Sequence, residues 1–172
     1  MADGAALRKT EAPNTELGEW DDGDDHAEIP PRRWLLGNTF CRGYVSSLIA
    51  PGGVGKTRTA LQCAADAIDR VKDGAWFVTF APISDPALLA GTILRALGVA
   101  AAHPDPLDAL LAHLAEREAL LILDNCEHVV EAAAGIVGAI RERCRLVTIL
   151  ATSREALRVE GERVYRLPPL EE

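Results

Sequence analysis

A glycine-rich loop at residues 50–57, with the sequence A-P-G-G-V-G-K-T, constrains the fold of this chain more than any other feature. Its glycines let the backbone turn tightly, so that several consecutive N–H groups can point at one phosphate group. Lys56 would place its charge on the β- and γ-phosphates, and Thr57 would bind Mg²⁺ through its hydroxyl. The loop therefore predicts a nucleotide-binding site made by Pro51, Gly52, Gly53, Val54, Gly55, Lys56, Thr57 and Arg58.

The residues on either side of this loop predict a strand that enters it and a helix that follows it. Residues 44–50 have the composition of a strand. The apolar residues Leu61, Ala64, Ala65 and Ile68 have the i, i+3, i+4, i+7 spacing of a helix with one buried face. The alternative is a Gly-Pro turn that precedes Gly-Lys-Thr by chance. The flanking strand and helix favour a phosphate-binding loop, because this is the context in which such loops occur.

A second half of the same site is predicted where two later strands end. Residues 119–124 form a continuous apolar run that ends in Asp124, which resembles a Walker B strand and would bring a carboxylate to Mg²⁺. Residues 146–151 form the next apolar run, and Arg154 follows it at a position suited to contact a terminal phosphate. The alternatives are a helix N-cap role for Asp124 and a surface role for Arg154. The predicted catalytic residues are Lys56, Asp124 and Arg154, and the predicted metal ligands are Thr57 and Asp124.

Strand and helix patterns alternate along the chain. Strands are expected at residues 44–50, 75–80, 119–124, 146–151 and 163–167. Helices are expected after Lys56, after the Asp-Pro pairs that begin at Asp85 and Asp105, and at residues 132–140. The pattern predicts an α/β P-loop NTPase fold with three α/β/α layers and a mainly parallel five-stranded sheet. Residues 32–43 are expected to add a short strand or a cover over the nucleotide.

Charge is distributed unevenly along the 172 residues. Residues 1–29 contain nine acidic residues against Arg8 and Lys9, a net charge of −7 out of −8 for the whole chain. We expect this segment to be a disordered acidic tail and residues 30–172 to form one nucleotide-binding domain. No apolar run reaches the about 20 residues of a membrane span, and no signal peptide is evident, so a cytoplasmic location without a membrane partner is expected.

The remaining composition argues against two further classes of site. The four cysteines are widely spaced and form no C-x-x-C pair, which predicts reduced core thiols rather than a metal centre. The part of the chain beyond the acidic tail has no dense basic face, so direct binding to nucleic acid is not expected.

Five segments carry a family resemblance. They are P-G-G-V-G-K-T-R at 51–58, F-A-P-I-S-D-P at 80–86, L-I-L-D-N-C-E-H at 121–128, A-T-S-R-E at 151–155 and L-P-P-L at 167–170. Together, over about residues 52–170, they resemble the nucleotide-binding domain of STAND (NB-ARC-like) ATPases from bacterial LuxR-type transcriptional regulators. The resemblance implies ATP or ADP as the ligand, Lys56 and Thr57 for phosphate and Mg²⁺, Asp124 for the metal, and Arg154 as the γ-phosphate sensor. Residues 29–57 instead resemble the start of RepA-like replicative ATPases of the RecA-like class.

The residue after Asp124 predicts slow hydrolysis. Fast ATPases of this general class place a glutamate there to deprotonate the attacking water, whereas this chain has Asn125, whose amide cannot accept a proton. Glu127 is the next acidic residue, and we expect it to point toward the following turn instead of the γ-phosphate. The pattern therefore favours a nucleotide switch over a rapid enzyme.

The family resemblance also bears on partners. STAND regulators continue past L-P-P-L into helical and winged-helix domains, so we expect the chain to be truncated before them. Besides nucleotide, those C-terminal regulatory domains or a second copy of the chain are the expected partners. Two alternatives remain open: a RepA-like or RecA-like motor ATPase acting on DNA, and an unstable fragment without activity.

Overall fold

The computed structural model describes residues 34–36, 40–41, 43–50, 55–99 and 104–167. Several sequence predictions lie outside these ranges. They are the acidic tail at 1–29, the loop residues Pro51, Gly52, Gly53 and Val54, and the end of the L-P-P-L segment.

A parallel sheet of five strands forms the centre of the fold. The strands of the described ranges are β1 (Trp34–Leu36), β2 (Phe40–Cys41), β3 (Val45–Ile49), β4 (Ala75–Thr79), β5 (Leu120–Asp124), β6 (Thr148–Ser153) and β7 (Arg163–Arg166). β1 and β2 pair with each other in an antiparallel ribbon, while the other five run parallel in the order β4-β5-β6-β3-β7. The predicted α/β fold and its five-stranded sheet are confirmed.

Within the described ranges, four α-helices lie between these strands. They are α1 (Lys56–Ala67), α2 (Leu89–Ala96), α3 (Pro106–Leu114) and α4 (Val130–Arg143). The two predicted Asp-Pro starts are confirmed, since Asp85 and Asp105 each accept a hydrogen bond from the backbone N–H two residues later, at 3.0 and 2.8 Å. Asp85 begins a 3₁₀ turn, Pro86–Leu88, that continues directly into α2. Of the helices in the described ranges, none combines the length and the apolar composition that crossing a membrane requires.

The central strand β5 shows how the helices divide between the two faces of the sheet. All five of its residues are buried. Leu120 and Ile122 pack in a cluster with α1, whereas Leu121 and Leu123 pack with residues of α2, α3 and α4. Successive strand residues point to opposite faces, so a continuous apolar run is what a strand covered on both sides requires.

The bounds of one strand depart from their prediction by more than one residue. The strand expected at 146–151 is β6, which begins two residues later, because Arg145 and Leu146 form the turn after α4. Leu146 is exposed, while Thr148 is buried and its hydroxyl accepts a hydrogen bond from the N–H of Gly43 at 2.9 Å. A buried threonine can therefore begin the strand, which the apolar pattern alone did not indicate.

Glu162 joins the segment after β6 to the centre of the sheet. Its carboxylate accepts hydrogen bonds from the hydroxyl of Ser47, which is fully buried on β3, and from the N–H groups of Leu157 and Arg158 at 3.0 and 2.7 Å. Hydrogen bonds to a charged acceptor are stronger than neutral ones. These contacts hold the chain that leads from the candidate site to β7.

Replacing Glu162 with alanine should lower the free energy of unfolding by about 2 kcal/mol, because three donors would lose their acceptor and one of them is buried. Urea denaturation followed by circular dichroism would measure the change. Glu160→Ala is the matched control, since Glu160 is an exposed acid of the same turn. Equal losses in the two variants would contradict a specific role for the Glu162 carboxylate.

Candidate functional site

The carboxyl ends of β3 and β6 meet where the glycine-rich loop begins. Ile49, the last residue of β3, is paired with Ser153, the last residue of β6. The N–H of Ala50 donates to the carbonyl oxygen of Ser153 at 3.4 Å. In open α/β sheets ligands bind at this edge, outside the carboxyl ends of the strands. Ala50, the first residue of the loop, therefore lies beside Ser153, and Arg154 follows Ser153.

Asp124 is the centre of a hydroxyl cluster at the same edge. Its Oδ1 accepts hydrogen bonds from the hydroxyl of Thr57 at 2.7 Å and from that of Thr152 at 2.6 Å. The hydroxyl of Thr152 in turn accepts from the N–H of Asn125 at 3.0 Å. Asp124 is 6% exposed, so these contacts stabilise a buried carboxylate. The structure thus brings together the two predicted metal ligands, which are 67 residues apart in sequence.

The Thr57–Asp124 pair fits a Mg²⁺ ion in its chemistry and spacing. Both groups offer oxygen, and adjacent oxygen ligands of an octahedral Mg²⁺ lie about 3.0 Å apart when each is about 2.1 Å from the metal. The observed separation is 2.7 Å. Among the described residues there is no group of three or more His, Cys, Asp or Glu side chains that could hold a metal ion by itself. One hydroxyl and one carboxylate are a ligand set typical of Mg²⁺ bound together with phosphate oxygens.

The side chain of Lys56 is largely buried. It is 9% exposed, and its Nζ donates a hydrogen bond to the carbonyl oxygen of Ala50 at 2.8 Å. Its alkyl chain is covered, because the ammonium reaches back to the start of the loop. An ammonium has three donors, and this contact uses one of them. The other donors suit an anionic oxygen held by the loop.

Gly55 and Arg58, two further predicted site residues, lie on either side of the pair Lys56 and Thr57 in sequence. Gly55 is the N-cap of α1, with a left-handed φ of 77°, and its carbonyl oxygen accepts the N–H of Thr59 at 2.9 Å. Arg58 is exposed in the first turn of α1. The helix N-terminus therefore follows the loop directly in sequence, and its unpaired N–H groups favour an anion.

A turn after β5 brings Glu127 beside Arg154. Asn125 has a left-handed backbone with φ 66°, which asparagine tolerates better than most residues, and a 3₁₀ turn follows at Cys126–His128. The Oε1 of Glu127 lies 3.3 Å from the Nε of Arg154. The ion pair between Glu127 and Arg154 was not part of the sequence interpretation, which did not include the reversal at Asn125.

The turn is anchored to the neighbouring strand and to the core. The N–H of Phe80 donates to the carbonyl of Asp124 at 2.8 Å, and the Nε2 of His128 lies 2.8 Å from the carbonyl oxygen of Phe80. Cys126 is fully buried, and this burial, with smaller contributions from Asp124 and Glu127, raises its pKa to about 12. The thiol thus stays protonated and serves as core packing, as predicted for the cysteines.

The comparisons with known proteins agree with this fold. A sequence model of the family described as "AAA domain" matches residues 11–150. A Mycobacterium tuberculosis protein with the name "Putative HTH-type transcriptional regulator" is 40% identical over 129 aligned positions, and the match covers 72% of this chain and 14% of that protein. The chain thus spans a small part of the length of this relative.

Two solved structures are similar in fold. Cdc6p from Pyrobaculum aerophilum has a TM-score of 0.54 and 18% identity, covering 72% of this chain and 39% of its own. A chain of Drosophila ORC bound to DNA has a TM-score of 0.54 and 12% identity, covering 74% of this chain and 38% of its own. At these identities the likeness concerns the fold alone.

Proposed function

The chain belongs to the AAA domain family of P-loop ATPases, and from this premise we propose that it is the nucleotide-binding switch of a STAND-like, transcription-regulatory ATPase. The switch would bind ATP or ADP with Mg²⁺ and pass the difference between them to other parts of a longer protein. The name of the mycobacterial relative supports a regulatory setting. Because the matched region is only 14% of that relative, the regulatory output is assigned to sequence beyond this domain.

The observation that carries the nucleotide assignment is the hydrogen bond of 2.7 Å between Thr57 and Asp124. It joins the helix after the loop to the end of β5, so that a hydroxyl and a carboxylate share one small site. Thr57 and Asp124 would hold Mg²⁺, and Lys56 would bind the β- and γ-phosphates. When bound, the metal supplies charge that neutralises the phosphates. The hydroxyl of Thr152 would keep its hydrogen bond to Asp124 and so orient the carboxylate.

The residue that follows Asp124 supports a switch over a motor. Asn125 has no titratable group, and its left-handed backbone is held by the N–H contact to Thr152. Glu127 is engaged with Arg154. The site therefore has groups that bind and orient phosphates, but no carboxylate at the position from which fast ATPases of this class deprotonate water. Nucleotide would be held for long periods, as a switch requires.

Single-turnover hydrolysis of Mg²⁺-ATP by the unmodified chain is expected to be far slower than the roughly 1 per second of a working ATPase. Rapid quenching and separation of ADP would measure the rate, with Asp124→Asn as a control for any contaminating ATPase. The same samples would be run with single- and double-stranded DNA and sized by light scattering. Fast turnover that DNA stimulates, together with hexamers, would contradict the switch and favour a RepA-like or RecA-like motor.

A further inference from the structure

We propose that Glu127 is a positioning residue that holds Arg154 ready for the terminal phosphate, and so sets the preference of the site for ATP over ADP. The inference rests on the proposed nucleotide function and adds a specificity-determining residue to it. It begins from the ion pair of 3.3 Å between the Nε of Arg154 and the Oε1 of Glu127.

The pair lies beside the origin of the phosphate-binding loop. Arg154 comes directly after Ser153, whose carbonyl oxygen accepts the N–H of Ala50. The next strand in the sheet, β5, ends in Asp124, and Glu127 is three residues further on. Both charged groups therefore lie at the edge where Asp124 and Thr57 meet.

The two partners are unequally free to move. The side chain of Arg154 is 66% exposed, whereas that of Glu127 is 15% exposed. The turn that carries Glu127 is fixed at one end by the left-handed Asn125 and at the other by the contact of His128 with Phe80. Glu127 is therefore a rigid anchor for a long side chain that would otherwise sample many rotamers. Holding one rotamer in advance reduces the entropy cost of binding.

The carboxylate has a strong reason to keep this partner. Its second oxygen, Oε2, is buried and has no hydrogen-bond partner within the described part of the chain. Separation from Arg154 would leave a mostly buried charge without compensation, which is costly. The ion pair should therefore persist in the nucleotide-free protein.

The nitrogen through which Arg154 contacts Glu127 determines whether the ion pair favours or hinders phosphate binding. Glu127 contacts Nε, and Arg154 makes no other ion pair among the residues that the structure describes. The two terminal nitrogens remain available for an anion, and a guanidinium can bind phosphate through two parallel N–H···O bonds. Glu127 thus aims Arg154 without occupying the nitrogens that phosphate needs. Only a nucleotide with a γ-phosphate would gain from this arrangement.

Glu127→Ala is the direct test, with calorimetric titration of Mg²⁺-ADP and of a non-hydrolysable Mg²⁺-ATP analogue. We expect the affinity for the ATP analogue to fall about five-fold, the lower end of usual coupling strengths, because Arg154 is mostly exposed. The affinity for ADP should stay within about two-fold of the parent, which also reports that the variant is folded. Glu127→Gln keeps an oxygen that accepts from Nε and should give an intermediate loss.

Two controls separate positioning from a general change of charge. Glu155 is adjacent to Arg154 in sequence but lies 3.8 Å from Arg158, and both of these side chains are mostly exposed. Glu155→Ala removes the same charge and should leave the ratio of ATP to ADP affinities unchanged. In an Arg154→Ala background, Glu127→Ala should have no further effect on that ratio, because its target is absent.

The outcomes are distinguishable. Tighter binding of the ATP analogue by Glu127→Ala would mean that Glu127 sequesters Arg154, and would overturn the proposal. An unchanged ratio, or equal losses for ATP and ADP, would overturn it while leaving the nucleotide function intact. Failure of the parent chain to bind either nucleotide would overturn both.

Discussion

Replacing Lys56 with alanine is expected to weaken the binding of Mg²⁺-ATP about 100-fold, because the variant loses a charge-assisted contact to phosphate from a largely buried lysine. Lys56 is 9% exposed and begins α1, directly beside Thr57. Its ammonium is fixed by the carbonyl of Ala50 at 2.8 Å, so its position is set before nucleotide arrives. Titration calorimetry with ATP and ADP would measure the loss, which should be large for both.

Stability should change far less than affinity in this variant. The hydrogen bond to Ala50 would be lost, at a cost of about 1 kcal/mol, and the alanine keeps the helix propensity of the first turn. Lys72→Ala is the matched control, since Lys72 is an exposed lysine in the turn before β4. Equal affinities of Lys56→Ala and Lys72→Ala for nucleotide would refute the role of Lys56.

Much of the fold was predictable because the relevant signals are local. The run that ends in Asp124 is apolar at each preceding position of β5, as burial on both faces requires. Asp85 and Asp105 cap their helices through hydrogen bonds with N–H groups only two residues later in sequence. The meeting of Thr57 with Asp124 follows from topology, since parallel strands bring their carboxyl ends to one edge. None of these inferences requires knowledge of a side-chain conformation.

The parts that were missed depend on conformations that residue types do not fix. The position of Glu127 follows from the left-handed φ of 66° at Asn125, which reverses the chain after β5. An asparagine directly after a buried strand is compatible with that conformation but also with an extended one. The role of Thr152 was not predicted, because its contact with Asp124 joins residues 28 positions apart. The burial of Lys56 likewise depends on which group its ammonium contacts, here the carbonyl oxygen of Ala50.

Gly43→Ala is expected to reduce the free energy of unfolding by about 3–5 kcal/mol, through backbone strain and a steric clash together. Gly43 has φ +74°, and a Cβ atom placed on it would lie 2.3 Å from the carbonyl oxygen of Arg145. That oxygen belongs to the backbone, so it cannot move without displacing the turn between α4 and β6. Gly98→Ala is the matched control, because Gly98 has φ +72° with no atom within 4 Å of such a Cβ.

The difference between the two glycine variants isolates the clash from the strain. Gly98→Ala should cost only about 1–2 kcal/mol, the penalty of a left-handed alanine. Equal losses in thermal or urea denaturation would show that Arg145 yields easily and would contradict the expectation.

The close approach matters for the site, because the N–H of Gly43 also donates to Thr148 at 2.9 Å and so fixes β3 against β6. β3 leads into the loop, and β6 carries Thr152 and Arg154, so a displacement at this end of the sheet would misalign phosphate-binding groups at the other. Gly43→Ala should therefore weaken ATP binding even under conditions where it remains folded, whereas Gly98→Ala should not.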